Sequence, residues 1–354
     1  MRKNQNRLAT LALSMMLVVG MAMPAFAAMA PDPDFGFDKV IDMSAAEKAD
    51  VPNVSYKYEI KPGAGGEKDA EGGKKVQVFP GVDQGVGIGG NSGASNTTVS
   101  FTAASLIDGN NQSKQKVAFY VDAPKFGKAG VYEYTVTETR LTDIDGLKET
   151  AEAPVTLYVT ILNTDGGGLK YGGAVFSNGT AKTGEADFKA DYTTHSLTIK
   201  KAVTGDLGDK SMMFDFADAI TAANGNEETY YIADGSGKVK AADKFQLKDG
   251  DAYTIYGLSE KDSAAITETV DAALGYTTTA EAVGATREFD AVATGGGKAT
   301  VTSFKENATL TVTNNRENIT PTGIVMDAAP YVLMLGAAGG LGAGFVFRKR
   351  EDEE

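Results

Sequence analysis

An apolar period of two constrains this chain more than any other feature. Phe35, Phe37, Lys39, Ile41 and Met43 occupy alternate positions, and so do Val54, Tyr56, Tyr58 and Ile60, with Lys57, Glu59 and Lys61 on the other face. The period returns at Val117, Phe119, Val121, at Tyr132, Tyr134, Val136, and at Val155, Leu157, Val159, Ile161. Side chains of an extended strand point alternately to opposite faces, so this pattern predicts half-buried antiparallel strands. Clusters of Gly, Pro, Asn and Asp punctuate them as turns. No long segment between the two ends of the chain shows a helical period. The expected fold is all-β, in sandwiches.

A second block of the same kind opens at Leu197, Ile199, Lys201 and Val203, with Gly205 closing the strand. Met212, Phe214 and Phe216 follow, then Phe245 and Leu247 before a Lys-Asp-Gly turn at 248–250, then Tyr253 to Ile255, Ile266 to Glu268, and Leu310 to Asn314. The pattern predicts two tandem sandwich domains, residues 28–194 and 195–317, the second of normal domain size. The boundary near Thr193–Ser196 is short enough to make the pair stiff.

Composition removes several function classes. There is no cysteine, so disulfides and thiolate metal sites are impossible. A net charge of −13 argues against nucleic acid and anionic membranes as partners. His195 is the single histidine and reads as a polar linker residue, with no triad or zinc site around it. No cofactor or metal is expected. Gly85-Val-Gly87-Ile-Gly-Gly90 matches a dinucleotide fingerprint in form, but no helix pattern follows to receive a pyrophosphate, so it reads as a flexible glycine loop.

The ends carry export signals. Arg2, Lys3 and Arg7 precede apolar Leu8–Met23 and a small-x-small site at Ala25-Phe26-Ala27, so residues 1–27 read as a secretory signal peptide. At the other end Pro321-Thr322-Gly323 precedes an apolar run, Ala328–Phe347, then Arg348-Lys349-Arg350. Pro321 has fixed φ and no N–H, and Gly323 leaves the Thr–Gly bond unshielded. The run is about 30 Å long as a helix, roughly one hydrocarbon core, and the basic triplet would hold the tail in the cytoplasm. Residues 318–354 resemble the cell-wall sorting signal of Gram-positive surface proteins, which sortase cleaves between Thr and Gly. The resemblance implies that Thr322 becomes the acyl donor. In the commonest pattern Pro stands two residues before Thr; here it adjoins Thr322, as in the Val-Pro-Thr-Gly-type signals of some pilins.

Both blocks place charge on the apolar face. Lys39 and Lys201 lie there on the first strands, Glu138 and Glu268 on middle strands, and Asn314 shares a face with Leu310 and Val312. A buried charge costs several kcal/mol unless paired. One chemistry uses all three groups. Burial lowers the lysine pKa and raises that of the carboxyl, giving a neutral amine nucleophile and a proton carrier. The Lys201 amine attacks the Asn314 side-chain amide, Glu268 shuttles protons, and ammonia leaves, with proximity supplying much of the rate. The product is a Lys–Asn isopeptide staple in a chain without disulfides. A second reading stays open at this point: the lysines snorkel out of the sheet and each glutamate forms an ordinary ion pair.

Leu197-Thr-Ile-Lys-Lys-Ala-Val-Thr-Gly205, Phe245-Gln-Leu-Lys-Asp-Gly250, Ile266-Thr-Glu268 and Val312-Thr-Asn314 resemble the second domain of streptococcal T-antigen-type pilins. Val51-Pro-Asn-Val-Ser-Tyr56 and Gly130-Val-Tyr-Glu-Tyr-Thr-Val-Thr-Glu138 resemble their first. The resemblance implies Ig-like (Cna-B-like) sandwiches and a bond made by Lys201, Glu268 and Asn314, with Lys39 and Glu138 matching the first-domain lysine and acid. The first domain departs from the family's Phe-x-Asn-x-Tyr: it reads Phe188-Lys-Ala190-Asp-Tyr192, with Ala190 at the expected asparagine. Asp191 would point to the opposite face unless a bulge turns it in, and Asn178 lies further back. In the resembling major pilins the lysine that accepts the next subunit precedes the last strand of the first domain. Lys182 stands there, with Lys170 its nearest competitor. The implied protein is a non-enzymatic subunit of a cell-surface pilus. Its partners would be a pilin-class sortase, copies of itself, minor pilins, and peptidoglycan through a wall-anchoring sortase. The alternative is a minor pilin or wall-anchored adhesin that binds host ligands.

Overall fold

The computed structural model describes residues 35–70, 74–150, 154–177, 182–183, 188–223, 230–233, 235–291 and 295–318. Thirteen strands precede Thr194. They are β1 (Gly36–Ala45), β2 (Val54–Pro62), β3 (Gly66–Ala70), β4 (Lys74–Pro80), β5 (Val86–Ile88), β6 (Asn96–Phe101) and β7 (Gln112–Val121). Then come β8 (Gly130–Arg140), β9 (Leu147–Glu149), β10 (Val155–Asn163), β11 (Leu169–Ser177), β12 (Lys182–Thr183) and β13 (Phe188–Thr193). One sheet runs β5-β7-β1-β13-β9, and the other runs β12-β11-β10-β8-β2-β6 with the β3–β4 hairpin joined to β8. Phe37 on β1 meets Tyr58 on β2 at 5.2 Å between ring centroids and Phe176 on β11 at 5.8 Å, so the sheets close face to face over an aromatic core.

After Thr194 the plan repeats. The strands are β14 (His195–Thr204), β15 (Phe214–Thr221), β16 (Tyr231–Ala233), β17 (Lys238–Lys240), β18 (Lys244–Leu247) and β19 (Ala252–Leu258). They continue as β20 (Ser263–Thr269), β21 (Thr277–Val283), β22 (Thr286–Ala291), β23 (Gly296–Thr302) and β24 (Ala308–Asn315). The sheets run β17-β16-β19-β14-β24-β21 and β18-β15-β20-β23-β22. Each half has its own continuous apolar core. In each, the first strand lies parallel to the last: β1 beside β13, and β14 beside β24.

The period of two reads the inward faces correctly. Phe37, Lys39, Ile41 and Met43 are all buried, and so are Leu197, Ile199, Lys201 and Val203. Gly85–Gly90, by contrast, is no loose loop. Val86–Ile88 is a strand paired with β7, and both Val86 and Ile88 are buried. The backbone of Asn91 folds so close to Gly87 that a Cβ there would lie 1.9 Å from its carbonyl oxygen, which only glycine permits. Nor is His195 a linker residue: it is half-buried at the start of β14, opposite Leu258.

A single residue, Thr194, separates the two sets of strands. Side chains brace the junction on either side. Asp50, in the loop after β1, accepts hydrogen bonds from the Tyr231 hydroxyl and the Lys238 amine of the β16–β17 hairpin. Lys48 Nζ donates to Tyr256 at 3.3 Å. Asp145 accepts from the Lys261 backbone N–H at 2.8 Å and pairs with its amine at 3.4 Å.

Candidate functional site

The second-domain site lies between the sheets, where β14 and β24 face β20. In the parallel register Lys201 pairs with Val312 and Val203 with Asn314, so lysine and asparagine sit one inward step apart on neighbouring strands. Glu268 comes from the opposing sheet. All three are sealed: Lys201 is 3%, Glu268 2% and Asn314 0% exposed. Glu268 Oε1 stands 3.3 Å from Lys201 Nζ and accepts from Asn314 Nδ2 at 3.1 Å. One carboxylate oxygen thus touches both the amine that would attack and the nitrogen that would leave. Thr278 donates to the other oxygen at 3.4 Å. Lys201 Nζ also donates to the carbonyls of Ala202 at 3.0 Å and Val312 at 3.2 Å, and lies 4.4 Å from the Phe214 ring centroid. The Asn314 carbonyl oxygen is buried without a hydrogen-bond partner among the described residues.

The electrostatics match the geometry. Burial pulls the Lys201 amine below its ordinary pKa, against the opposing pull of Glu268. Burial also pushes the Glu268 carboxyl up, against Lys201 and the hydrogen bonds from Asn314 and Thr278. Both shifts favour the neutral pair, an amine with a free lone pair beside a carboxylic acid able to donate. Such a group can attack the amide carbon while the acid protonates the departing nitrogen.

The first domain reproduces half of this. Lys39 is fully buried, and its Nζ pairs with Glu138 Oε1 at 2.9 Å and lies 3.9 Å from the Tyr56 ring centroid. Tyr58 donates to the second Glu138 oxygen. Burial again lowers the lysine pKa. The register matches the second domain: Lys39 pairs with Phe188 and Ile41 with Ala190. Ala190, fully buried, therefore takes the place that Asn314 takes beside Val203. Asp191 is exposed and pairs with Asp42 on the outer face, so no bulge turns it toward Lys39.

Other expected residues fall elsewhere. Lys182 pairs with Ser177 in the short strand β12, and Lys170 with Leu162 on β11. Asn178, the signal peptide 1–27, and Pro321, Thr322, Gly323 with the apolar run all lie outside the described residues. Among the described residues no helix is long and apolar enough to cross a membrane, and no acidic or histidine cluster is arranged to hold a metal. Sequence reasoning missed Thr278, Tyr58 and the Phe214 ring as partners of the buried charges. Tyr58 and Phe214 stood in the inward alternation, but nothing local marks Thr278 within its run of threonines.

The chain is thus a tandem of Ig-like sandwiches, each with a lysine–glutamate pair between its sheets. The chain resembles the streptococcal T-antigen-type pilins. It is 25% identical over 333 residues to a pilin of Streptococcus pyogenes serotype M1, covering 84% of this chain and 86% of that protein. The structure of the major pilin T3.2 from Streptococcus pyogenes shares the fold with a TM-score of 0.55 at 21% identity, over 80% of this chain and 99% of that one. A pilus tip adhesin, Cpa, of Streptococcus pyogenes is 33% identical over 137 residues, 38% of this chain but 18% of the adhesin. Residues 195–316 match a family described as a domain of unknown function (DUF7601). The likeness to a pilin over most of both chains supports a structural pilus subunit.

Proposed function

We propose that this chain is a structural subunit of a covalently polymerised cell-surface pilus, held by a self-formed isopeptide bond between Lys201 and Asn314. The observation that carries the reading is the contact of one Glu268 oxygen with both Lys201 Nζ and Asn314 Nδ2. The reaction is a single-turnover self-modification. The amine forms a C–N bond to the Asn314 side-chain carbonyl, the old C–Nδ2 bond breaks, and ammonia leaves with a proton relayed by Glu268. In this reading a pilin-class sortase cleaves between Thr322 and Gly323, Lys182 of the next subunit takes the acyl group, and a wall-anchoring sortase joins the polymer to peptidoglycan. The subunit would assemble with copies of itself and with minor pilins, on the cell surface.

Intact mass of the full chain tests the bond. The wild type is expected one ammonia lighter than its sequence, and Lys201→Ala restores the full mass; equal deficits in both would sink it. The likeness to a tip adhesin favours a second reading, a minor pilin or wall-anchored adhesin that binds host ligands. Denaturing gels of cell-wall extracts separate the two. A ladder abolished by Lys182→Ala marks a shaft subunit, whereas a single sharp band marks the adhesin.

A further inference from the structure

Resting on the same chemistry, we propose that the first domain carries the amine and acid of an isopeptide site, Lys39 and Glu138, and lacks only the electrophile, whose position Ala190 occupies. The two domains supply the comparison. In the second, the inward residue one step past the lysine on the first strand is Val203, and its partner on the last strand is Asn314. In the first, the corresponding residue is Ile41 and its partner is Ala190. The acid is in place, since Glu138 pairs with Lys39 at 2.9 Å, closer than Glu268 lies to Lys201 at 3.3 Å. Tyr58 holds the remote Glu138 oxygen, the role Thr278 plays for Glu268.

The surroundings are polar beyond what an alanine requires. Ser113 lies opposite Ile41 on β7, in the same inward row as Ala190, and is 1% exposed. Its hydroxyl has no partner among the described residues. An amide installed at position 190 would stand in the inward row beside a nucleophile, a proton carrier and an unpartnered hydroxyl. As the chain stands, β1 and β13 are joined by backbone pairing and by packing such as Phe37 on Phe188, while the Lys39–Glu138 pair ties β1 to β8 in the facing sheet.

The reaction expected of Ala190→Asn balances as in the second domain. Lys39 Nζ bonds to the new side-chain carbonyl carbon, the C–N bond of the amide breaks, and ammonia departs with a proton passed by Glu138. The experiment is intact mass and tandem mass spectrometry of tryptic digests of the full chain, as wild type, Ala190→Asn, Ala190→Asn with Lys39→Ala, and Ala190→Asn with Glu138→Gln. In the wild-type digest Lys39 should appear in an unlinked peptide; Lys39 found in a cross-link would overturn the proposal. Ala190→Asn should lose one more ammonia than the wild type, and both double variants should lose that extra deficit. Ala190→Asn whose first domain is folded, judged by protease resistance of residues 35–193 against the wild type, yet loses nothing further would also overturn it. Because position 190 is fully buried, Ala190→Asp runs alongside. It should lose one water in a Lys39-dependent manner, and no loss with the first domain as protease-resistant as in the wild type counts against the proposal. The second-domain reading fails separately, by a wild type that shows no deficit against its sequence mass or one that Lys201→Ala leaves in place.

Discussion

At the scale of single residues, the chemistry rests on charges that burial would make prohibitive if they stood alone. Removing one partner of a buried pair costs about 3–5 kcal/mol, because the other is left uncompensated. Lys201→Ala is therefore expected to destabilise the second domain by more than the lost cross-link alone, measured as a fall in its thermal midpoint. Glu268→Gln keeps the shape but removes the proton carrier. Bond formation followed by mass against time should slow by about 10²-fold or more, the usual contribution of a positioned acid or base. A half-buried acid, Asp218, sits away from the site. Burial, then repulsion from Asp243, raises the half-buried Asp218 to a pKa of about 6, and its Oδ2 has no partner among the described residues. A carboxyl whose folded pKa is raised stabilises fully below its unfolded value of 3.8, and that stability is lost as pH rises through about 6. Asp218→Asn should therefore raise the thermal midpoint at pH 7 and leave it nearly unchanged at pH 3.5. An equal gain at both values would refute the assignment.

At the scale of elements, the parallel neighbours β1–β13 and β14–β24 decide which side chains can react. The same geometry sets the stiffness between domains. With only Thr194 between β13 and β14, bending must break the Asp50 contacts on one side or the Asp145–Lys261 contacts on the other. Asp50→Ala combined with Asp145→Ala should broaden the interdomain angle, seen in small-angle scattering as an increased maximum dimension with both domains still folded. An unchanged scattering curve would mean that the single-residue connection is sufficient. Strand faces were legible from the alternation because facing is a local property. Strands β3, β4, β6, β9, β11, β12, β16, β17 and β21 to β23 were not, and β5 read as a loop, since pieces that are short or carry few inward apolar residues show too little periodicity to stand out.

At the scale of the whole molecule, the proposed bonds define a load path. Force entering at Lys182 and leaving at Thr322 would run along β13, through Thr194, up β14 to Lys201, and across the isopeptide to Asn314. The segment between those two residues lies off the path. So do strands β1 to β11, which ride on β13 while it is pulled along its own already extended axis. A cross-link between β1 and β13 adds nothing to that path, which accounts physically for the tolerance of Ala190. Single-molecule pulling between Lys182 and residue 318 should give only a short extension in the wild type. Lys201→Ala should release the second domain as an added step of roughly 400 Å, at about 3.5 Å per extended residue. The same long step in the wild type would contradict the path.

The sequence by itself determined that both halves are stacks of half-buried strands, and that Lys39, Lys201, Glu138, Glu268 and Asn314 point inward. Those facts follow from the local alternation of the backbone. The resemblance to streptococcal pilins, carried by those same residues, marked Ala190 as the departure in the first domain. Only the tertiary structure decided that Glu268 reaches across from the opposite sheet so that one of its oxygens touches amine and amide together. It alone showed the glycine run at 85–90 drawn into a sheet and Asp50 tying one domain to the other, and it left Asp191 on the outer face where the alternation put it. Pairings between strands far apart in the chain depend on how whole sheets register and pack, and no local pattern encodes that.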